Sequence, residues 1–204
     1  SELPFEELSK IDSLLIGPGL GTDNPTLECL SEIIETFSGL LVLDADALNG
    51  ISLSEDGYLS LRKRRGHTWI TPHIAEFNKL FPDLSGLQPL EAARQAARIS
   101  ESIVLLKGAH SIVADPSGIC WQLGESCYWS ARAGFGDLLA GFAAGLGAMS
   151  IAASIPPNGE MLMGAVLMHA SAAMNCKTGS GADLIAASLS KLALSIQSGE
   201  INSK

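Results

Sequence analysis

Leu40-Leu41-Val42-Leu43, running straight into Asp44-Ala45-Asp46-Ala47-Leu48-Asn49, decides the architecture. Apolar residues in unbroken succession fit a strand covered on both faces, as in a parallel sheet. Three other segments repeat the pattern. Ile11-Asp12-Ser13-Leu14-Leu15-Ile16 leads into Gly17-Pro18-Gly19-Leu20-Gly21-Thr22, Thr68-Trp69-Ile70 into Thr71-Pro72-His73, and Ile103-Val104-Leu105-Leu106 into Lys107-Gly108-Ala109-His110. Helical segments lie between them. Asn24-Pro25 offers an N-cap followed by proline at the first helical position, Gly39 closes that helix, and a second helix is expected from about Gln88 to Ser100. Alternating strand and helix imply right-handed crossovers and an α/β layered domain with helices on both faces of a mostly parallel sheet.

Beyond the fourth strand the pattern changes. Ser111–Asp115 and Ile119–Leu123 flank Pro116-Ser117-Gly118 and read as a β-hairpin at one edge of the sheet. From Phe135 the chain reads as three Ala- and Gly-rich helices, roughly 135–149, 159–176 and 182–197.

Composition narrows the function classes. The 204 residues suffice for a single domain with one good-sized core, and 47% hydrophobic against 17% charged residues argues for a compact globule and against disorder. A net charge of −9 disfavours nucleic acid and gives no reason to invoke an anionic membrane. Cys29, Cys120, Cys127 and Cys176 show no CxxC spacing, so reduced thiols in a cytoplasmic protein are expected. The most apolar stretch, Met161 to Met174, falls short of the roughly 20 residues of a membrane span. The Ala-rich helical half permits a homo-oligomer.

In open α/β sheets ligands bind beyond the carboxyl ends of the strands, so the strand-ending clusters share one rim. Gly134-Phe135-Gly136-Asp137 opens the first of the late helices and adds a fifth cluster. A helix N-terminus offers unpaired N–H groups and partial positive charge to an anion, and glycine lets a phosphate approach the backbone. A carboxylate there either takes a proton from a hydroxyl attacking a phosphoryl group or helps to hold a metal; an ordinary N-terminal Asp is the bland alternative. Lys107-Gly108 supplies a cation and room for phosphate oxygens. Gly17-Pro18-Gly19 makes a tight turn, but Thr22 where a third glycine belongs and Pro18 without an N–H speak against a dinucleotide-binding Rossmann loop. Asp44 and Asp46 read equally well as water-mediated Mg²⁺ ligands and as helix caps. His73 with Glu76 has half a zinc spacing and no second histidine, so hydrogen bonding to a ligand suits His73 better and no zinc site is expected. His67 and His169 carry no motif and read as structural, and Arg62-Lys63-Arg64-Arg65 as a solvated surface turn.

Taken in order, Gly17–Gly21, Asp44–Asn49, Thr71-Pro72-His73-Ile74-Ala75-Glu76-Phe77, Lys107-Gly108-Ala109-His110-Ser111 and Gly134–Asp137 resemble the ADP/ATP-dependent NAD(P)H-hydrate dehydratases of the ribokinase-like superfamily. The resemblance covers nearly the whole chain. It implies a ribokinase-like domain that phosphorylates the ring hydroxyl of hydrated NADH or NADPH at the expense of ADP or ATP, with Mg²⁺, after which phosphate leaves. It further implies that Asp137 is the catalytic base. Lys107, Gly108, Ala109, His110, Ser111, Gly134 and Gly136 would contact nucleotide, and Gly19, His73 and Asp137 the substrate. Ala75 stands where the family usually has glycine, Ser111 where it has threonine, and Phe135 replaces a small or polar residue. Family members also carry strands and helices before the Gly-Pro-Gly segment, so an N-terminally short domain with part of its sheet uncovered is expected. Related small-molecule kinases and a non-catalytic nucleotide-binding remnant are the alternatives.

Overall fold

A computed structural model describes residues 5–124 and 134–197. A six-stranded sheet runs in the order β1 (Ser13–Ile16), β2 (Leu40–Leu43), β3 (Thr68–Ile70), β4 (Ile103–Leu106), β5 (Ile112–Ala114), β6 (Cys120–Gln122). The first four strands are parallel, and the β5–β6 hairpin joins β4 antiparallel as the far edge. Among the described residues eight α-helices surround it: α1 (Phe5–Leu8), α2 (Asn24–Thr36), α3 (Asp46–Leu53), α4 (Ile74–Leu80), α5 (Pro89–Ser100), α6 (Phe135–Ala152), α7 (Gly159–Met174) and α8 (Ala182–Gln197). This is the layered α/β domain expected.

The strands show why their apolar runs are continuous. Leu41, Leu43, Ile70, Val104 and Leu106 face one core with α2, α3, α4 and α5, while Leu40, Val42, Trp69 and Leu105 face another with α6 and α7. Successive side chains point to opposite faces, so a strand buried on both needs an apolar residue at every position.

Some boundaries differ from expectation for identifiable reasons. Asp23, not Asn24, caps α2, its carboxylate accepting from the N–H of Thr26 at 3.0 Å. The short helices α3 and α4 begin inside the polar clusters themselves, at Asp46 and directly after His73. Among the described residues α6, 18 residues long with a mean hydropathy of 1.5, meets the length and composition of a membrane span. Its inner face instead packs on the sheet, and a Cβ on Gly147 would come within 2.2 Å of Leu40.

The basic run is not uniformly solvated. Arg62, Lys63 and Arg65 are exposed, but Arg64 is half-buried and donates to Thr68 Oγ1 (2.8 Å) and to the carbonyls of Ile34 (3.1 Å) and Gly39 (3.0 Å). A guanidinium has enough donors in one plane to tie loop and helix end together. Burial lowers its pKa to about 10.

Candidate active site

The parallel strands place their carboxyl ends on one rim, and the contacts among the clusters there are direct. Gly17, at φ 137°, directly follows β1 with its backbone pressed on Asp44: a Cβ would lie 1.6 Å from the Asp44 carbonyl oxygen. Gly21 N–H donates to Asp46 Oδ2 at 2.9 Å, which fastens the first loop to the second. Ala45, between the two aspartates, takes φ 47°, a strained value for a residue with a Cβ. Gly19 sits in the turn with open space where a side chain would be.

Beyond β3, His73 caps α4. Its Nδ1 accepts from the N–H groups of Ala75 (3.1 Å) and Glu76 (3.3 Å), and the buried Glu76 carboxylate accepts from His73 N–H at 2.8 Å. These reciprocal bonds form a capping box. The His–Glu pair therefore has a structural task, and among the described residues no three metal-ligating side chains come together.

Lys107 is where the clusters meet. It stands opposite His73 in an isolated parallel bridge, and its N–H donates to the Pro72 carbonyl at 2.8 Å. Its ammonium donates to Asp44 Oδ1 at 2.5 Å and lies 3.5 Å from where a Cβ on Gly136 would sit. The ends of β2, β3 and β4 and the start of α6 thus converge on one residue. Local patterns missed the tie between Asp44 and Lys107, 63 residues apart; the only signal was a carboxylate directly after four core residues.

The turn after β4 is closed by Ser111, whose hydroxyl accepts from Gly108 N–H (3.2 Å) and donates to the Gly108 carbonyl (3.0 Å). Ser111 is buried, while Gly108, Ala109 and His110 are exposed. His110 Nδ1 lies 3.3 Å from the Leu123 carbonyl. Ser111 therefore shapes the backbone of this turn.

Gly134, at φ 85°, caps α6 without a side chain. The first N–H groups of a helix have no partner within it, so those of Gly136 and Asp137 end an 18-residue dipole beside the Lys107 ammonium. Asp137 is exposed, has no ion-pair partner among the described residues, and borders a cavity of about 440 Å³ between α6 and α8 with Leu138, Phe142 and Leu189. Phe135 is buried in a small cluster with Ala172, Ala173, Ile185 and Leu189, which anchors the turn. His169 on α7 hydrogen-bonds to the Phe135 backbone, and burial lowers its pKa.

Three comparisons with known proteins bear on the family and the fold. The family model for NAD(P)H-hydrate dehydratase matches residues 1–194. The chain belongs to the NAD(P)H-hydrate dehydratase family. It is 40% identical over 173 residues to a bifunctional NAD(P)H-hydrate repair enzyme of Gloeobacter violaceus, covering 84% of this chain and 32% of that protein. A namesake from Thermosynechococcus vestitus is 38% identical over 173 residues with the same coverage. The chain spans about a third of the length of these relatives. In fold it is similar to an ADP/ATP-dependent NAD(P)H-hydrate dehydratase from Bacillus subtilis co-crystallised with ATP/Mg²⁺ (TM-score 0.70, 20% identity, 93% of this chain and 69% of that one). A ribokinase-like superfamily protein from Enterococcus faecalis gives TM-score 0.75 at 22% identity, with 93% and 66% covered. The fold is ribokinase-like.

Proposed function

We propose that this domain restores hydrated NADH or NADPH to the intact dinucleotide at the expense of ADP or ATP. The observation that carries the reading is the Lys107 ammonium held beside Gly136, at the open end of α6. A cation and two uncapped backbone donors at one point form a seat for a phosphoryl group whose charge rises during transfer. Family membership supports the substrate class.

In this reading the exposed turn Gly108-Ala109-His110 and the α6 N-terminus cradle the nucleotide's phosphates, with Gly134 and Gly136 leaving room for close approach. Gly19 and His73 flank the hydrated ring. Asp137 takes the proton of the ring hydroxyl as its oxygen attacks the terminal phosphorus, and the nucleotide leaves one phosphate shorter. Phosphate then departs with the bonding pair of the ring C–O bond. Loss of a ring proton restores the double bond. A divalent ion, such as the Mg²⁺ with which the Bacillus subtilis enzyme was co-crystallised alongside ATP, would neutralise phosphate charge. No three-donor cluster occurs among the described residues, so such an ion fits as a passenger on the nucleotide.

The test is incubation with enzymatically hydrated NADH or NADPH, ADP or ATP, and Mg²⁺, following recovery of reduced-nicotinamide absorbance together with inorganic phosphate. Accumulation of a stable phosphoester instead would make the protein a kinase. Nucleotide binding without turnover would make it a binding remnant.

A further inference from the structure

Asp44 is a carboxylate at 1% exposure. Its Oδ1 accepts from Lys107, and its Oδ2 is buried without a hydrogen-bond partner. Stability does not account for such a pair. Burying a carboxylate with one oxygen left unsatisfied, beside a partly buried ammonium, is unfavourable, and apolar residues of similar volume commonly do as well or better. Two further observations give the pair a direction. Strained Ala45, at φ 47°, divides the two aspartates, so that Asp46 serves Gly21 on the first loop while Asp44 serves Lys107 just past the fourth strand. Lys107 is held at both ends, its backbone N–H by Pro72 and its ammonium by Asp44, with that ammonium against Gly136.

We infer that Asp44 is a positioning residue for phosphoryl transfer. Resting on the dehydratase reading above, it fixes the Lys107 ammonium at the α6 N-terminus, where charge develops on the transferring group. An ammonium already paired with a carboxylate attracts resting polyphosphate less strongly. Asp44 thus trades ground-state nucleotide affinity for a preset cation in the transition state, the division by which binding energy raises turnover. A structural residue would lack this signature.

Asp44→Asn keeps the side-chain shape and an oxygen to accept from Lys107 but removes the charge. Turnover of hydrated dinucleotide should fall about 100-fold, while the Kd for Mg–ATP and Mg–ADP, read by calorimetry, should stay the same or tighten. Weaker nucleotide binding at unchanged kcat would overturn the inference. Asp44→Glu retains the ion pair but moves the ammonium by a methylene, which guards against a folding failure in the first variant. It should lose turnover with affinity unchanged, and wild-type turnover in it would overturn the claim. If the wild-type chain restores neither hydrated dinucleotide, the dehydratase reading fails instead. The affinity comparison between wild type and Asp44→Asn then still decides whether Asp44 tempers Lys107: looser binding in the variant would refute it.

Discussion

His73 faces Lys107 in a parallel bridge just past the ends of β3 and β4, so one backbone pairing ties the cap of α4 to the cation of the rim. His73 therefore has a capping task and a proposed ligand contact, and one substitution separates them. Asparagine is a good N-cap, so His73→Asn should keep the melting temperature near wild type, within about 0.5 kcal/mol. His73→Ala should lose about 1 kcal/mol. Both should raise the KM for hydrated dinucleotide. A ring needed for the cap alone would leave the KM of His73→Asn unchanged.

Asp137 lies in the first turn of α6, exposed and without an ion-pair partner among the described residues. Asp137→Asn should leave stability and nucleotide Kd nearly untouched and reduce turnover roughly 10²- to 10⁴-fold, the span of a lost general base. Single-turnover kinetics would locate the loss in the phosphoryl-transfer step.

Two glycines of the rim should respond in opposite ways to the same substitution. At Gly17 an added methyl meets the Asp44 carbonyl at 1.6 Å with φ at 137°, so Gly17→Ala should cost about 2–4 kcal/mol and lower the melting temperature clearly. At Gly136 it meets only the Lys107 ammonium at 3.5 Å, an ordinary contact, and alanine is the better helix former by up to about 1 kcal/mol. Gly136→Ala should therefore be as stable as wild type or slightly more so, yet bind Mg–ATP more weakly because the methyl fills the phosphate's approach. Thermal melts beside calorimetric titrations read both effects.

What was legible in the chain follows from where the information is local. Leu40–Leu43, Thr68–Ile70 and Ile103–Leu106 lie at the strand bounds expected because burial on both faces leaves an unbroken apolar run. The β5–β6 hairpin and the three late helices likewise carry their turns and breaks in sequence. Helices α3 and α4 were hidden because they are eight and seven residues long and start inside polar clusters. Histidine is also an uncommon cap. Arg64 was hidden among basic neighbours because only the fold brings the Ile34 and Gly39 carbonyls to it. The Asp44–Lys107 tie needs two strand ends to become neighbours, which no local pattern encodes.

Arg64 gives a stability prediction remote from the rim. Lysine cannot span two carbonyls and a hydroxyl in one plane, so Arg64→Lys should cost about 1–2 kcal/mol. Arg64→Met, which also strands the carbonyl acceptors, should cost about 2–4 kcal/mol. Chemical denaturation checks the order. Nucleotide affinity of the folded fraction should not change, since these contacts lie at the opposite ends of the strands.

His169 supplies the pH dependence. One ring nitrogen serves the Phe135 backbone, Nε2 is buried without a partner, and burial holds the imidazole below its ordinary pKa of 6.5. The sign follows directly. Below the ordinary value the unfolded chain takes up a proton that the folded protein refuses, so folding stability falls as pH drops, by up to about 1.4 kcal/mol per pH unit. The loss starts near pH 6.5 and ends once pH passes below the lowered folded value. Asparagine can donate to the same backbone group without titrating, so His169→Asn should flatten this part of the curve. Melting temperatures of both proteins from pH 7.5 to 5 read the difference, and parallel curves would mean that His169 takes up its proton as readily in the folded protein as in the unfolded chain.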